Sequence, residues 1–353
     1  MRRIRRGMLL MAILTLSITL ALLIVSAQTA PSDDFDTKLE AAYIMQACMD
    51  GIKRQKAEMG IQLAEEDTHQ TGLIGDEFTS VTTTVGVLEA KRTAANSDMA
   101  ALAVQMLSEA GIKSGDTVGA AFSGSFPGMN LAFLAAAEAM DLDLIYTASA
   151  GASMYGANQQ ALTFPDMLQY LLKNGLLSQY PAALSLGGDG DRGLNMDPDA
   201  AKEIRKRLEG YGYPFLYIDD YEQNIKERLA IYDRYEIRCF IGVGGNVTTT
   251  GEGENDLPYG VVLPQESNLT DTENGLLEHY HARGLPVIHI LNMKELVTRY
   301  ALAFDPQTLP EKGTSAVYIH KRYRWPIGAA GGVITIAILA IDRIRKKNAE
   351  KTL

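Results

Sequence analysis

From Asp116 onward, short apolar runs alternate with longer helical patterns, which restricts the chain to few folds. The runs predicted as strands are 116–122, 142–148, 182–186, 214–218, 237–243 and 286–291. The patterns predicted as helices between them are 127–140, 164–174, 198–210, 222–234 and 272–283. Strands that alternate with helices imply a mainly parallel sheet, and continuously apolar strands imply helices on both faces. We therefore predict an α/β core over residues 116–320, with a doubly wound, mainly parallel sheet.

The residues before this core are predicted to be mainly helical. Asp34–Gly60 and Glu89–Ala110 have apolar residues at helical spacing, and Gly111 ends the second run. Phe78–Leu88 is rich in Thr and Val and is predicted as a strand or an extended segment. Residues 28–115 are therefore predicted to form a helical segment that leads into the core.

The N-terminus carries an apolar run long enough to cross a membrane. Met8–Ala27 contains no charged residue, and four arginines lie before it. About 20 apolar residues span a bilayer, and flanking arginines stay in the cytoplasm. We predict a transmembrane helix over 8–27. Because Val25-Ser26-Ala27 also suits a signal peptidase, a cleaved signal peptide is the alternative.

A second apolar run lies near the C-terminus. Trp325–Ile341 is followed by a basic tail, residues 342–353. We predict a transmembrane helix over 325–341, with a buried helix of a soluble protein as the alternative. Two spans place both termini in the cytoplasm and the main domain outside the membrane. The predicted location is the cytoplasmic membrane, crossed twice.

The charge of the predicted external domain restricts its partners. The whole chain has a net charge of −10, but residues 28–320 carry 21 Lys and Arg against 41 Asp and Glu. A domain with this excess of carboxylates repels polyanions over its surface as a whole, so nucleic-acid binding is not predicted. One local site with Lys91, Arg92 or Arg192 as the counter-charge can still hold a single carboxylate of an acidic polymer.

Polar, glycine-rich segments follow five of the predicted strands. These segments are Ser123–Ser125, Ser149–Asn158, Gly187–Gly193, Asp219–Asp220 and Gly244–Thr248. Ligands bind at the carboxyl ends of strands in such sheets, and the helix start near Pro127 offers free N–H donors to an anion. We predict one anion-binding cleft, in which Arg192 supplies the positive charge. The candidate residues are Lys91, Arg92, Ser123, Gly124, Ser125, Ser149, Ser153, Asn158, Asp189, Asp191, Arg192, Gly244, Gly245 and Asn246.

The sequence indicates no catalytic group, metal or cofactor. No base is recognisable beside Ser123 or Ser125, and Gly-x-Ser-x-Gly is not met there. Asp189–Asn195 lacks the distal Glu of a calcium loop, and Gly242–Gly245 lacks the spacing of a dinucleotide motif. Cys48 and Cys239 are predicted as buried free thiols, with one disulfide as the alternative.

Five ordered segments carry a family resemblance. They are Gly86–Thr93 (GVLEAKRT), Ser123–Pro127 (SGSFP), Gly151–Asn158 (GASMYGAN), Gly187–Gly193 (GGDGDRG) and Gly242–Gly245 (GVGG). Together they resemble the bacterial poly-γ-glutamate system protein, whose members likewise have a membrane helix near each end. The resemblance implies a partner of the membrane synthetase that makes and exports poly-γ-glutamate. It brings no catalytic residue to this chain.

Two functions follow from this reasoning. The first is an accessory protein of poly-γ-glutamate synthesis and export that binds the polymer, a γ-glutamyl oligomer or the synthetase through the Ser- and Gly-rich cleft. The alternative is an extracytoplasmic serine-type hydrolase or transferase that acts on γ-glutamyl bonds. We favour the accessory role because no base is recognisable near the serines.

Overall fold

The computed structural model describes residues 6–251, 257–264 and 275–349, and its contacts divide the chain into two compact units. One unit is Asp34–Tyr318, and the other combines the two ends of the chain. The acidic, glycine-rich sequence of Gly251–Thr272 predicts a disordered surface loop, with a mobile flap over the polar edge of the sheet as the alternative, and most of this segment lies outside the described residues. The first residues of predicted helix 272–283 and the end of the basic tail lie outside them as well.

The described helices and strands are numbered in chain order. The helices are α1 (Arg6–Val25), α2 (Phe35–Glu58), α3 (Leu88–Ala94), α4 (Asp98–Glu109), α5 (Pro127–Ala139), α6 (Phe164–Lys173), α7 (Pro198–Glu209), α8 (Tyr221–Tyr232), α9 (Val247–Thr250), α10 (Leu276–Ala282), α11 (Met293–Arg299) and α12 (Trp325–Ala349). The strands are β1 (Gln28–Pro31), β2 (Thr82–Thr84), β3 (Thr117–Phe122), β4 (Asp143–Ser149), β5 (Ala152–Ser153), β6 (Asn158–Gln159), β7 (Leu162–Thr163), β8 (Ala183–Ser185), β9 (Phe215–Leu216), β10 (Phe240–Val243), β11 (Gly260–Val262), β12 (Val287–Ile290) and β13 (Ile319–Arg322).

The main sheet has seven strands in the order β11-β12-β10-β3-β4-β8-β9. Every neighbouring pair is parallel except β11 with β12. The chain builds the sheet outward from β3 through β4, β8 and β9, then crosses back to add β10 on the other side of β3. The strand order therefore reverses between β3 and β10, and ligands of open α/β sheets bind at such a point.

Helices cover both faces of the sheet. Ala120 of β3 and Ile241 of β10 belong to the larger apolar core, whereas the adjacent Ala121 and Phe240 belong to a smaller one. Successive side chains of a strand point to opposite faces, so each of these strands is buried on both sides. The predicted α/β fold with a mainly parallel sheet is confirmed, and all six predicted strands are present.

The antiparallel edge strand β11 and helix α11 were not predicted. β11 has only three residues and follows the polar segment, so it gives too short a pattern to recognise. The predicted helix over Glu89–Ala110 is two helices, because the chain turns at Asn96, whose side chain accepts a hydrogen bond from the Asp98 N–H at 3.1 Å. Helices α2 and α4 both pack on α5, so residues 34–115 are part of the same unit as the sheet.

The unit formed by the chain ends contains α1, α12 and the antiparallel pair β1–β13. Among the described helices, α1 alone is long and apolar enough to cross a membrane, and the apolar part of α12, Trp325–Ile341, is shorter. In the other unit, Cys48 and Cys239 are buried free thiols, as predicted.

Candidate functional site

A cleft of about 950 Å³ lies at the carboxyl end of the sheet, where the strand order reverses. Both β3 and β10 end at it, with Ser123 following β3 and Gly245 following β10. The candidate residues that line the cleft are Lys91, Ser123, Ser125, Ser153, Asp189, Gly245 and Asn246. The structure therefore brings together half of the fourteen candidates, from five separate segments of the chain.

The turn after β3 is held by its own serines. The Ser123 hydroxyl accepts a hydrogen bond from the Ser125 N–H at 3.2 Å and donates one to the Ser125 hydroxyl at 3.1 Å. The Ser125 hydroxyl also accepts from the Ser153 N–H at 3.0 Å. This turn leads into α5 through Pro127, which suits the first turn of a helix.

Two glycines let the neighbouring loops approach this turn. A Cβ atom on Gly124 would lie 2.7 Å from the Ala150 carbonyl oxygen, and one on Gly244 would lie 2.8 Å from the Ser123 Cβ atom. Gly244 also has φ of +86°, which a side chain strains. Neither glycine lines the cleft, and we assign both of these candidates to the shape of the loops.

Lys91 lies buried at the floor of the cleft. Its ammonium nitrogen is 2.7 Å from the Ser153 hydroxyl oxygen, 2.6 Å from the Ser125 carbonyl oxygen and 3.6 Å from the centre of the Phe126 ring. Within the described residues, no carboxylate oxygen lies within 4 Å of it. Burial lowers the pKa of Lys91 to about 7, because water no longer stabilises the charged form.

The rim of the cleft carries charges of both signs. Glu89, Asp189 and Lys294 line it, and all three side chains are exposed. In the described part of the chain, the Lys294 ammonium forms no ion pair and lies 5.9 Å from the centre of the Phe304 ring. The other wall is apolar and includes Val85, Val87, Leu291, Met293 and Phe304.

Arg92 and Arg192 lie outside the cleft lining. The Arg92 guanidinium donates two hydrogen bonds to the Asp305 carboxylate, from Nε at 2.7 Å and from Nη2 at 2.6 Å. Arg192 pairs with Asp219. Our prediction that Arg192 supplies charge to the cleft is therefore not reproduced by the structure. Among the described residues, Lys91 and Lys294 are the cations that line it.

Asp191 and Ser149 belong to a buried polar network beside the cleft. Asp191 pairs with the guanidinium of Arg228 and accepts a hydrogen bond from the Asn246 amide at 3.0 Å. The Asn246 amide also lies 3.4 Å from the Ser149 hydroxyl oxygen. Arg228 reaches the Thr147 hydroxyl oxygen at 3.1 Å. The network holds the side chain of Asn246, which lines the cleft, in one position. Asp191 does not line the cleft, and its carboxylate already binds Arg228 and Asn246.

Asn158 has a structural role in this fold. Its side-chain amide exchanges two hydrogen bonds with the backbone of Asp76, at 2.7 and 3.0 Å, and donates a third to the Thr82 hydroxyl at 3.0 Å. These bonds hold the segment before β2 against the β6 strand. Asn158 is fully buried and does not line the cleft.

Two segments of the cleft wall were not predicted. Thr83–Val87 and Leu291–Lys294 both line it, together with Asn195 and Phe304. The sequence predicts that Phe78–Leu88 is a strand or an extended segment. It does not indicate that β2, within this segment, pairs with β5 and therefore lies beside Ser153. Leu291–Lys294 directly follows β12, so its position at a strand end was the available signal.

In the described residues, no three His, Cys, Asp or Glu side chains are grouped as ligands for a metal ion. His289 lies in β12 with Nδ1 3.3 Å from the Leu257 carbonyl oxygen, and it does not line the cleft. A scan against protein-family models, a search of curated proteins and a search of solved structures each found no match to this chain.

Proposed function

We propose that this protein is a membrane-anchored accessory component of bacterial poly-γ-glutamate synthesis and export, and that its cleft binds a γ-glutamyl carboxylate. The polymer and the pathway come from the five sequence segments that resemble the poly-γ-glutamate system protein. Each of these five segments contributes at least one residue to the lining of the cleft. The partners proposed are the polymer and the membrane synthetase.

The buried ammonium of Lys91 is the observation that carries this proposal. A buried charge without an opposite charge is costly, and a ligand carboxylate would offset part of that cost. Ser123 and Ser125 add hydroxyl groups beside it, and exposed Lys294 offers a second cation at the rim. A polymer with a carboxylate on each unit offers an anion to each of the two lysines that line the cleft.

The proposed membrane placement has two supports. Helix α1 meets the length and hydropathy of a span, and α12 packs along it within their own unit. A Cβ atom on Gly331 would lie 2.1 Å from the Thr19 hydroxyl oxygen, so the absence of a side chain there allows the two helices to touch. We propose that both cross the cytoplasmic membrane, with both termini in the cytoplasm and Asp34–Tyr318 outside.

Reporter fusions test this topology. Fusions at Pro31 and Gly313 are expected to report an external location, and a fusion at Leu353 a cytoplasmic one. A cytoplasmic signal at Gly313 would overturn the placement. Detection of a mature chain that begins after Ala27 would replace the N-terminal anchor with a cleaved signal peptide.

Titration calorimetry on the full chain in detergent micelles tests the binding function. A γ-glutamyl oligomer is expected to bind the wild type and to bind Lys91→Met and Lys294→Gln at least about tenfold more weakly, because each loses a charge-assisted contact. Lys56→Met is the matched control, since Lys56 is also buried but lies away from the cleft. Absence of binding to the wild type at millimolar oligomer, or equal binding by wild type and Lys91→Met, would contradict the proposal.

A further inference from the structure

We propose that Ser153 and Lys91 form a nucleophile–base pair, and that the cleft catalyses acyl transfer from an ester or amide that carries a carboxylate. This inference goes beyond the binding role, although it concerns the same cleft. The sequence alone showed no base near the serines, and we favoured the accessory role for that reason. In the structure, Lys91 lies beside Ser153 and can act as a base.

The geometry of a general base is met by Lys91. Its nitrogen is 2.7 Å from the Ser153 hydroxyl oxygen, within the 2.6–3.2 Å at which a base can take a proton directly. The second hydrogen bond of Lys91, to the Ser125 carbonyl oxygen, and its contact with the Phe126 ring fix the position of the nitrogen. Lysine replaces histidine as the base in some serine enzymes, and burial is what lowers its pKa far enough.

The backbone of Gly86 lies close to the Ser153 hydroxyl. A Cβ atom on Gly86 would lie 3.1 Å from the Ser153 hydroxyl oxygen and 2.4 Å from the Met154 carbonyl oxygen. Any larger residue at position 86 would therefore crowd the nucleophile. Both Gly86 and Ser153 line the cleft, so a ligand can approach the hydroxyl from that side.

Ser125 is placed to donate a hydrogen bond to the developing oxyanion. Its hydroxyl oxygen accepts from the Ser123 hydroxyl and from the Ser153 N–H, and within the described chain its own proton has no acceptor. Ser125 lines the cleft next to the nucleophile, so this proton can be directed at the substrate. Donors held in place before the reaction stabilise such charge strongly.

The reaction balances without a metal or an oxidant. Neutral Lys91 takes the Ser153 proton while the hydroxyl oxygen forms a bond to the carbonyl carbon, whose π electrons move to the oxygen. The electrons return, the bond to the leaving amine or alcohol breaks, and the Lys91 ammonium gives its proton to that group. The Ser153 ester is then opened by water or by a second amine, Lys91 takes a proton from this nucleophile, and the Ser153 oxygen leaves with that proton.

The lining of the cleft indicates the class of substrate. Lys294 at the rim offers a cation for a carboxylate, and the apolar wall formed by Val85, Val87 and Phe304 suits a methylene chain between that carboxylate and the acyl carbon. Lys91 binds a carboxylate only as an ammonium and acts as the base only in its neutral form, so in this reaction the substrate carboxylate is assigned to Lys294.

Acylation by a β-lactone that carries a carboxylate tests the pair, with the full chain in detergent micelles. Attack by Ser153 opens the ring and leaves an ester, which intact-protein mass spectrometry detects and peptide mapping locates. The wild type is expected to acquire one adduct on Ser153, at a rate that rises with pH through the pKa of Lys91. Among the described residues, Glu89, Asp189 and Lys294 are the other charged groups that line the cleft, and Glu89→Gln is expected to keep this pH profile.

Four variants complete the experiment. Ser153→Ala is expected to lose the adduct, and Lys91→Met to form it at least about 100-fold more slowly. Ser97→Ala and Lys56→Met, which change a buried serine and a buried lysine outside the cleft, are expected to react at the wild-type rate. If circular dichroism shows that Lys91→Met is unfolded, Lys91→Arg replaces it, because arginine keeps the charge but has no neutral form at these pH values.

The outcomes separate this inference from the binding function. Absence of an adduct on Ser153, or an equal rate in wild type and the Lys91 variant, would overturn the nucleophile–base pair. Binding of a carboxylate without acylation of Ser153 would support the binding function and overturn the nucleophile–base pair. Acylation of Ser153 without binding of the γ-glutamyl oligomer would support the pair and contradict the accessory role.

Discussion

The ammonium nitrogen of Lys91 lies 2.7 Å from the hydroxyl oxygen of Ser153, although the two residues are 62 positions apart in the chain. Lys91 comes from the short helix α3 and Ser153 from strand β5, and each is almost fully buried. The parallel pairing of β2 with β5 brings the segment before α3 alongside Ser153. The contact therefore depends on tertiary structure, and the proposed chemistry depends on the contact.

The buried amine predicts a pH dependence of stability. The pKa of Lys91 is about 7 in the folded chain and about 10.4 when it is exposed, so between these values the unfolded chain binds more protons. Stability should therefore rise with pH, by about 2 kcal/mol between pH 7 and 9 from this group. Urea unfolding should show that rise in the wild type and lose it in Lys91→Met. The exposed Lys202→Met should behave as the wild type, and an unchanged slope in Lys91→Met would contradict the assignment.

The pair Arg92–Asp305 predicts sensitivity to acid. The hydrogen bonds from Arg92 lower the pKa of Asp305 below its usual value, so the pair stabilises the fold above about pH 4 and ceases to do so as the pH falls through the lowered value. Arg92→Ala should cost about 1–3 kcal/mol at pH 7 and less at pH 3. Unfolding curves at both pH values check this. Arg205→Ala, which breaks an exposed pair with Glu209, should cost under about 1 kcal/mol at pH 7.

The buried pair Asp191–Arg228 predicts a large loss of stability when one partner is removed. Both side chains are inaccessible to water, so Arg228→Met leaves an unpaired buried carboxylate, at a cost of about 3–5 kcal/mol. The double variant Asp191→Asn with Arg228→Met should recover part of that loss. Chemical denaturation of the three chains measures it. Arg192→Ala is the control, because its partner Asp219 is exposed, and a loss as large as that of Arg228→Met would contradict this reasoning.

The start of helix α5 predicts intolerance of any side chain at Gly128. A Cβ atom there would lie 2.2 Å from the Ala94 carbonyl oxygen, so α3 and α5 would have to separate. Gly128→Ala should cost about 1–3 kcal/mol and shift Lys91, which lies one turn before Ala94. Gly245→Ala is the control, since its nearest contact would be an ordinary 3.6 Å from Leu291. Thermal unfolding of both variants compares them, and equal stability would contradict the close approach.

Much of the core was predictable because its strands are covered on both faces. Continuous apolar runs such as 116–122 mark these strands without reference to the rest of the chain. The break between α3 and α4 was not predictable in this way, since Asn96 is unremarkable within a helical pattern. The edge strand β11 was missed because three residues carry too little pattern.

The candidate site was predictable as a region but not as a set of contacts. Ser123, Ser125 and Gly245 follow strands, and the carboxyl ends of parallel strands meet at one edge of a sheet. The partner of each charged side chain was not predictable, and Arg192 shows why. Its guanidinium forms an ion pair with Asp219, and the position of Asp219 depends on where β9 lies in the sheet.

The sequence by itself determined the class of fold, the buried strands, the apolar segment at the N-terminus and the edge of the sheet where polar residues gather. These features follow from local patterns of hydropathy and turn residues, which act over a few positions of the chain. Only the tertiary structure decided that Lys91 is buried beside Ser153 and Ser125, and that Asp191 is occupied by Arg228. Such pairings join segments tens of residues apart, and the order of strands in the sheet brings those segments together.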